Sequence, residues 1–230
     1  MKTVAIIPAR GGSKRIPHKN IKLFCGKPII AYSIETALKS HLFDEVMVST
    51  DDDEIAKISA MYGASVPFMR SSENSSDYAG TYEVIEEVID MYRKINRSFD
   101  MGCCIYPTAP FVNTSLLRTA MDTLVREDVS TVQTVVEYSY PPQRGYFVRD
   151  NRVVVCSEEM YDKRSQDLEK IYHDAGQIYA FKVKDILEKK KLVTDNTQPI
   201  VLDEMYVQDI DSDTDWKLAE VKYSILKREN

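Results

Sequence analysis

Between Thr3 and Val136, short apolar runs alternate with amphipathic stretches, and this rhythm restricts the fold more than any other feature of the chain. Thr3–Ile7, Glu45–Ser49, Ser65–Phe68, Met101–Tyr106 and Thr131–Val136 read as strands. Pro28–Ser40 reads as a helix with Pro at its first turn and Ile30, Ile34, Ala37 and Leu38 on one face. A second helix opens on Asp51, Asp52, Asp53 and Glu54 and stops at Gly63; acids there suit the positive end of its dipole, which makes them structural. Thr81–Lys94 and Asn113–Arg126 complete the set. A βαβαβαβαβ order predicts an α/β fold, a mostly parallel sheet with helices on both faces. Ligands of such sheets bind beyond the carboxyl ends of the strands, here residues 8–20, 70–80 and 107–112.

The first of these loops is rich in glycine and cations. After the apolar run Val4–Ile7 come Pro8-Ala9-Arg10-Gly11-Gly12-Ser13-Lys14-Arg15-Ile16-Pro17-His18-Lys19-Asn20. Adjacent glycines can take φ > 0 conformations that turn successive amides toward one anion, and they let a ligand approach the main chain. Gly11 and Gly12 suit that role, and Arg10, Lys14, Arg15 and Lys19 supply charge enough for a triphosphate. The spacing fits neither the P-loop nor the dinucleotide fingerprint. Residues 1–34 hold seven Lys or Arg and no acid, whereas the rest of the chain carries 23 bases against 36 acids. With a net charge of -6, such a protein repels nucleic acid but offers one cationic pocket to a small anion.

A chain of 230 residues, 43% hydrophobic, can bury its core as one domain spanning residues 1–230. No run of about 18 apolar residues and no cationic start with an apolar h-region occurs, which points to a cytoplasmic protein without a membrane partner. Cys25, Cys103, Cys104 and Cys156 lack metal-site spacing and read as reduced, small apolar residues. Past Val136 the rhythm changes. Tyr146–Val148 and Arg152–Val155 read as a hairpin across Asp150-Asn151, followed by a polar stretch from Ser157 to His173, so residues 138–173 form an inserted arm. Alternation resumes with a strand Gly176–Phe181, a helix Lys184–Lys191, a strand near Pro199–Leu202 and a final helix Thr214–Arg228.

Before that helix lies Val207-Gln208-Asp209-Ile210-Asp211-Ser212-Asp213-Thr214-Asp215-Trp216. Asp209 and Asp211 alternate about Ile210 at a strand end, so both carboxylates project to one side while the isoleucine enters the core. Two such carboxylates are what Mg²⁺ asks of a protein when phosphate oxygens and water complete its octahedron. An EF-hand loop fails at Thr214, where glycine is required. Asp213 or Thr214 reads as the cap of the last helix.

Ile7-Pro8-Ala9-Arg10-Gly11-Gly12-Ser13-Lys14, Lys19-Asn20, Ser49-Thr50-Asp51, Pro107-Thr108-Ala109-Pro110 and Asp209-Ile210-Asp211 together resemble the CMP-sugar synthetases, the cytidylyltransferases that activate sialic acids and their relatives. Residues 164–169 and 172–177 look most like the members that activate pseudaminic acid. The resemblance implies a Rossmann-like fold with CTP and a nine-carbon sugar acid as substrates. It assigns Arg10, Ser13, Lys14 and Lys19 to the loop that grips the phosphates and Asn20 to the ribose and α-phosphate. Arg70, with loop backbone near residues 77–80, falls to cytosine, and Asp209 and Asp211 to Mg²⁺. The arm, in relatives, crosses to the other subunit of a homodimer and helps close its site.

Two departures fall on the sugar side. Tyr106 stands where sialic acid synthetases carry a glutamine, and His173 where relatives show an arginine. Arg144 is the candidate for the sugar carboxylate, because a guanidinium fork matches it bidentately, and Arg164, Gln166, Asp167 and His173 are candidates for the ring substituents. The implied reaction is attack of the sugar's anomeric hydroxyl on the α-phosphorus of CTP, giving CMP-sugar and pyrophosphate. Sialic or legionaminic acid as the acceptor, a glycosyltransferase with an Asp-x-Asp metal site, and a catalytically silent nucleotide-binding protein are the alternatives.

Overall fold

Successive residues of the first strand enter different cores. In the computed structural model, which describes residues 1–229, β1 (Thr3–Pro8) sends Ala5 and Ile7 into one hydrophobic cluster and Val4 and Ile6 into another on the opposite face. A strand buried on both sides needs helices on both. One cluster is closed by Ile30 and Ile34 of α1 (Ile29–Ser40), Ile55 of α2 (Asp53–Met61) and Leu117 and Met121 of α4 (Thr114–Leu124). The other is closed by Ile85, Val88, Ile89 and Tyr92 of α3 (Thr81–Lys94) and by Ile186 of α6 (Val183–Lys189).

The sheet has six strands. β4 (Glu45–Ser49) and β5 (Met101–Ile105) flank β1, both parallel to it. Beyond β5 lies β9 (Tyr172–Lys182), antiparallel to β5 and to β6 (Thr131–Glu137), and β10 (Thr197–Leu202) closes the edge parallel to β6. The chain moves from β1 to β4, then crosses back to β5 on the other side of β1, so a topological switch point lies between β1 and β5. The sheet is mostly parallel and covered on both faces, as the alternation predicts. No helix among the described residues is long and apolar enough to cross a membrane.

Several elements differ from the sequence reading. Ser65–Phe68 is not a strand: Ser65 alone bridges to Met47, and Pro67, lacking an N–H, cannot extend the ladder at this edge. Leu23–Phe24 (β2) and Lys27–Pro28 (β3) form an unanticipated hairpin, whose turn residues Cys25 and Gly26 both have positive φ, 46° and 99°. Pro28 therefore ends β3 and caps α1 instead of sitting in its first turn. β9 begins at Tyr172, so Tyr172 and His173 belong to the central sheet and not to the arm; these first residues are exposed and polar and leave no apolar alternation to read. The inserted segment holds the hairpin β7 (Tyr146–Arg149) and β8 (Arg152–Val155), then the single turn α5 (Glu158–Tyr161).

A third cluster fixes the C-terminal helix α7 (Asp213–Glu229). Trp216 and Ala219 pack with Ile16, Phe24, Ile29, Tyr32, Phe111 and Ile210, which ties the β2–β3 hairpin, the loop after β1 and the segment before α7 into one unit.

Candidate active site

Pro8 at the end of β1 and Tyr106 just past β5 open a cleft of about 610 Å³ at the switch point. Arg10, Ser13, Lys14, Arg15, Lys19 and Asn20 line one side, Arg70, Asp77, Ala79, Gly80 and Thr81 cover another, and Asp209 and Asp211 face in from the segment before α7. Three segments distant in sequence meet here: the loop after β1, the loop that leads into α3 and the segment before α7.

The loop after β1 is held from several directions. Asn20, buried, donates to the Arg10 carbonyl at 2.9 Å, and Lys19 Nζ donates to the Ile210 carbonyl at 2.8 Å. The glycines work differently from the expectation, since neither Gly11 nor Gly12 has positive φ. Gly11 is needed for close approach: a Cβ there would lie 2.7 Å from Asp52 Oδ2. Its amide donates to Asp51 at 2.9 Å, and the Ser13 amide to the Gly11 carbonyl at 2.9 Å, so those two amides serve the loop's own shape. Asp51 thus lies before α2, whose cap is Asp52, accepting from the amides of Glu54 and Ile55.

Carboxylates meet the cations of the cleft. Asp77 binds Arg10 Nη1 at 2.8 Å and Lys14 Nζ at 2.5 Å, and the lysine first, then the arginine, hold its carboxyl below the usual carboxylate range. Asp211 pairs with Arg15 at 2.9 Å and Lys19 at 3.4 Å. Burial, and next the neighbouring Asp211, push the Asp209 carboxyl up. A like-charged pair in one partly dry cleft suits a divalent cation, and two carboxylates leave most of an Mg²⁺ octahedron to phosphate oxygens and water. The pair does not sit at a strand end as the alternation suggested; it follows a short 3₁₀ turn, Glu204–Tyr206, and the buried Ile210 still sends its neighbours toward the cleft. Nor do Asp213 or Thr214 cap α7. Ser212 Oγ accepts from the Asp215 amide, and the Asp215 carboxylate accepts from the Ser212 amide and hydroxyl, a reciprocal capping box.

Arg70 is buried. Its Nε donates to Ser49 Oγ at 2.9 Å and its Nη2 to the Ser49 carbonyl, while its own amide donates to Thr50, so the end of β4 orients the guanidinium. Tyr106 lies between Thr81, whose hydroxyl is 2.9 Å from its own, and the ring of Tyr179. Burial raises its pKa, and it stays a neutral phenol.

The other sugar-side candidates lie apart. Arg144, Arg164, Gln166, Asp167 and His173 do not line the cleft of their own chain. Arg144 donates to Ser165, Arg164 pairs with Asp167 at 2.7 Å, and His173 donates from Nδ1 to the Asp174 carbonyl while its ring lies 4.7 Å from that of Tyr138. Sequence reasoning had missed the Asp77 side chain and the pairing of Asp51 with Gly11. An acid in a polar loop carries no spacing signal, and only the sheet brings it to Arg10.

A family model described as cytidylyltransferase matches residues 4–219. The pseudaminic acid cytidylyltransferase of Campylobacter jejuni is 42% identical over 226 residues, covering 98% of this chain and 97% of that one. A CMP-N,N'-diacetyllegionaminic acid synthase of Legionella pneumophila is 36% identical over 230 residues, covering 96% and 95%. Among solved structures, a CMP:2-keto-3-deoxy-manno-octonic acid synthetase complexed with CTP has a TM-score of 0.70 at 18% identity over 99% of this chain and 100% of that one, a likeness of fold. Since the match runs from β1 into α7 and takes in the whole sheet, the chain belongs to the cytidylyltransferase family of nucleotide-transferring enzymes.

Proposed function

We propose that the enzyme joins CTP to pseudaminic acid, giving the CMP-sugar and pyrophosphate. The observation that carries this reading is one cleft in which Arg10, Lys14, Arg15 and Lys19 stand opposite Asp209 and Asp211, on a chain 42% identical to a pseudaminic acid cytidylyltransferase. The anomeric hydroxyl of the sugar attacks the α-phosphorus, the bond to the β-phosphate oxygen breaks, and the hydroxyl proton passes to solvent. Such transfer depends on positioning and charge neutralisation. Arg10, Lys14 and Lys19 stabilise charge moving onto pyrophosphate, Gly11, Gly12, Ser13 and Asn20 shape the loop around the phosphates, and Arg70 reads the base. Asp209 and Asp211 would hold Mg²⁺, which supplies charge neutralisation at the phosphate oxygens.

Sugar recognition is completed in a homodimer. Arg144, Arg164, Gln166, Asp167 and His173 reach the cleft of the partner subunit, while Tyr106 faces the sugar from within the same chain. The exposed apolar residues of the arm support this reading. Pyrophosphate release measured across a panel of nonulosonic acids tests the assignment. Pseudaminic acid is expected well ahead of sialic and legionaminic acids in kcat/KM, and equal values would remove it. Turnover without a nonulosonic acid, or none with any, would favour another activity.

A further inference from the structure

Asp77 has the geometry of an internal stand-in for phosphate. Its two oxygens go to two different cations, Oδ1 to Arg10 Nη1 and Oδ2 to Lys14 Nζ, at 2.8 and 2.5 Å. A phosphoryl group shared between a guanidinium and an ammonium presents its oxygens in the same way. The two halves of the 71–80 loop are held differently. Ser71 and Asn74 are tied to Glu87 of α3 by the Ser71 amide at 2.8 Å and Asn74 Nδ2 at 2.7 Å. Tyr78 is 98% exposed, the Ser76 amide donates to the Glu73 carbonyl within the loop at 3.3 Å, and the two Asp77 ion pairs tie this half of the loop to Arg10 and Lys14.

Resting on the reading of this cleft as a nucleotide site, we propose that Asp77 is a resident counter-anion which the triphosphate must displace, so that it sets nucleotide and pyrophosphate affinity. Both ion pairs are exposed and therefore weak, which lets a polyanion replace them. The carboxylate re-pairs with Arg10 and Lys14 as pyrophosphate departs, and thereby opposes its rebinding.

Calorimetric titration of the full-length enzyme with inorganic pyrophosphate and with CTP, at fixed ionic strength, tests this. Asp77→Asn should bind pyrophosphate roughly two- to ten-fold more tightly than wild type, the range set by one or two exposed ion pairs. Asp77→Glu should stay within about two-fold of wild type. Glu73→Gln, which removes an exposed acid from the same loop without touching either cation, should leave affinity unchanged. Unchanged or weaker pyrophosphate binding by Asp77→Asn overturns the proposal, as does equal tightening by Glu73→Gln, which would reduce the effect to net charge. A wild-type enzyme that bound neither pyrophosphate nor CTP would remove the reading of the cleft, and the proposal with it.

Discussion

Asp211 pairs with two cations and Arg70 grips Ser49 through two hydrogen bonds, and those contacts decide what their loss would do. Asp211 balances Arg15 and Lys19 at the mouth of the cleft while standing beside Asp209. Asp211→Ala should keep its fold, because the side chain is partly exposed, and should lower turnover about 10²-fold, as loss of a main electrostatic stabiliser does. Pyrophosphate release titrated with Mg²⁺ checks this, and near-normal release at limiting Mg²⁺ would exclude the metal role. Arg70 also supports the end of β4 through Ser49, so Arg70→Ala should lose both base selectivity and stability. A missing hydrogen bond to the ring costs about 1 to 3 kcal/mol, to be read as the change in the CTP-to-UTP ratio of kcat/KM. Unchanged selectivity alongside a lowered Tm would leave cytosine to the loop backbone. The cations were legible because they cluster in the glycine-bearing loop after the first strand and the aspartate pair because it alternates about an apolar residue, whereas Asn20 came only with the resemblance to the CMP-sugar synthetases. Asp77 was not legible, because its role is created by the convergence of two loops.

At the scale of elements, the capping box and one glycine carry consequences that the periodic pattern hides. Ser212 and Asp215 close the first turn of α7 while the neighbouring Ile210 anchors the aspartate pair in the third core cluster. Ser212→Ala should cost about 0.5–2 kcal/mol of stability, measured by urea unfolding. It should also raise the Mg²⁺ requirement, because the cap sets where the chain leaves Asp211; lost stability with an unchanged Mg²⁺ dependence would separate the helix start from the site. Gly102 of β5 pairs with Phe181 of β9, and a Cβ there would lie 2.5 Å from the phenylalanine ring. Gly102→Ala should therefore destabilise by about 1–3 kcal/mol through overpacking, and an unchanged Tm would show that the ring moves freely. Helix α3 ends where the pattern predicts because Val84, Ile85, Val88, Ile89 and Tyr92 recur at helical spacing. The position of β9 was hidden for the opposite reason. A strand whose first half is exposed and polar shows no period, and nothing local says that it inserts between β5 and β6.

At the scale of the whole molecule, the arm makes little sense within a single chain. Its hairpin exposes Tyr146, Phe147, Val148, Val153 and Val154, with Val148 76% accessible, and a two-stranded ribbon of this kind has little stability alone. Such a surface suits coverage by a second copy of the chain. Arg144 and Arg164 meanwhile bond Ser165 and Asp167 within the arm and lie outside their own cleft, so in a monomer they would serve only the arm's shape. The homodimer reading gives them a second role and makes a test that a local role fails. If the arm crosses, Arg164→Ala should raise the sugar KM while the CTP KM stays nearly constant, and Lys14→Ala should do the reverse. Neither homodimer would then be fully active. Mixed by unfolding and refolding together, however, the two variants should regain activity, because each heterodimer holds one cleft with an intact Lys14 from one chain and an intact Arg164 from the other. An arm that only supports its own fold predicts otherwise: Arg164→Ala would lower Tm, damage both substrates alike, and gain nothing from mixing.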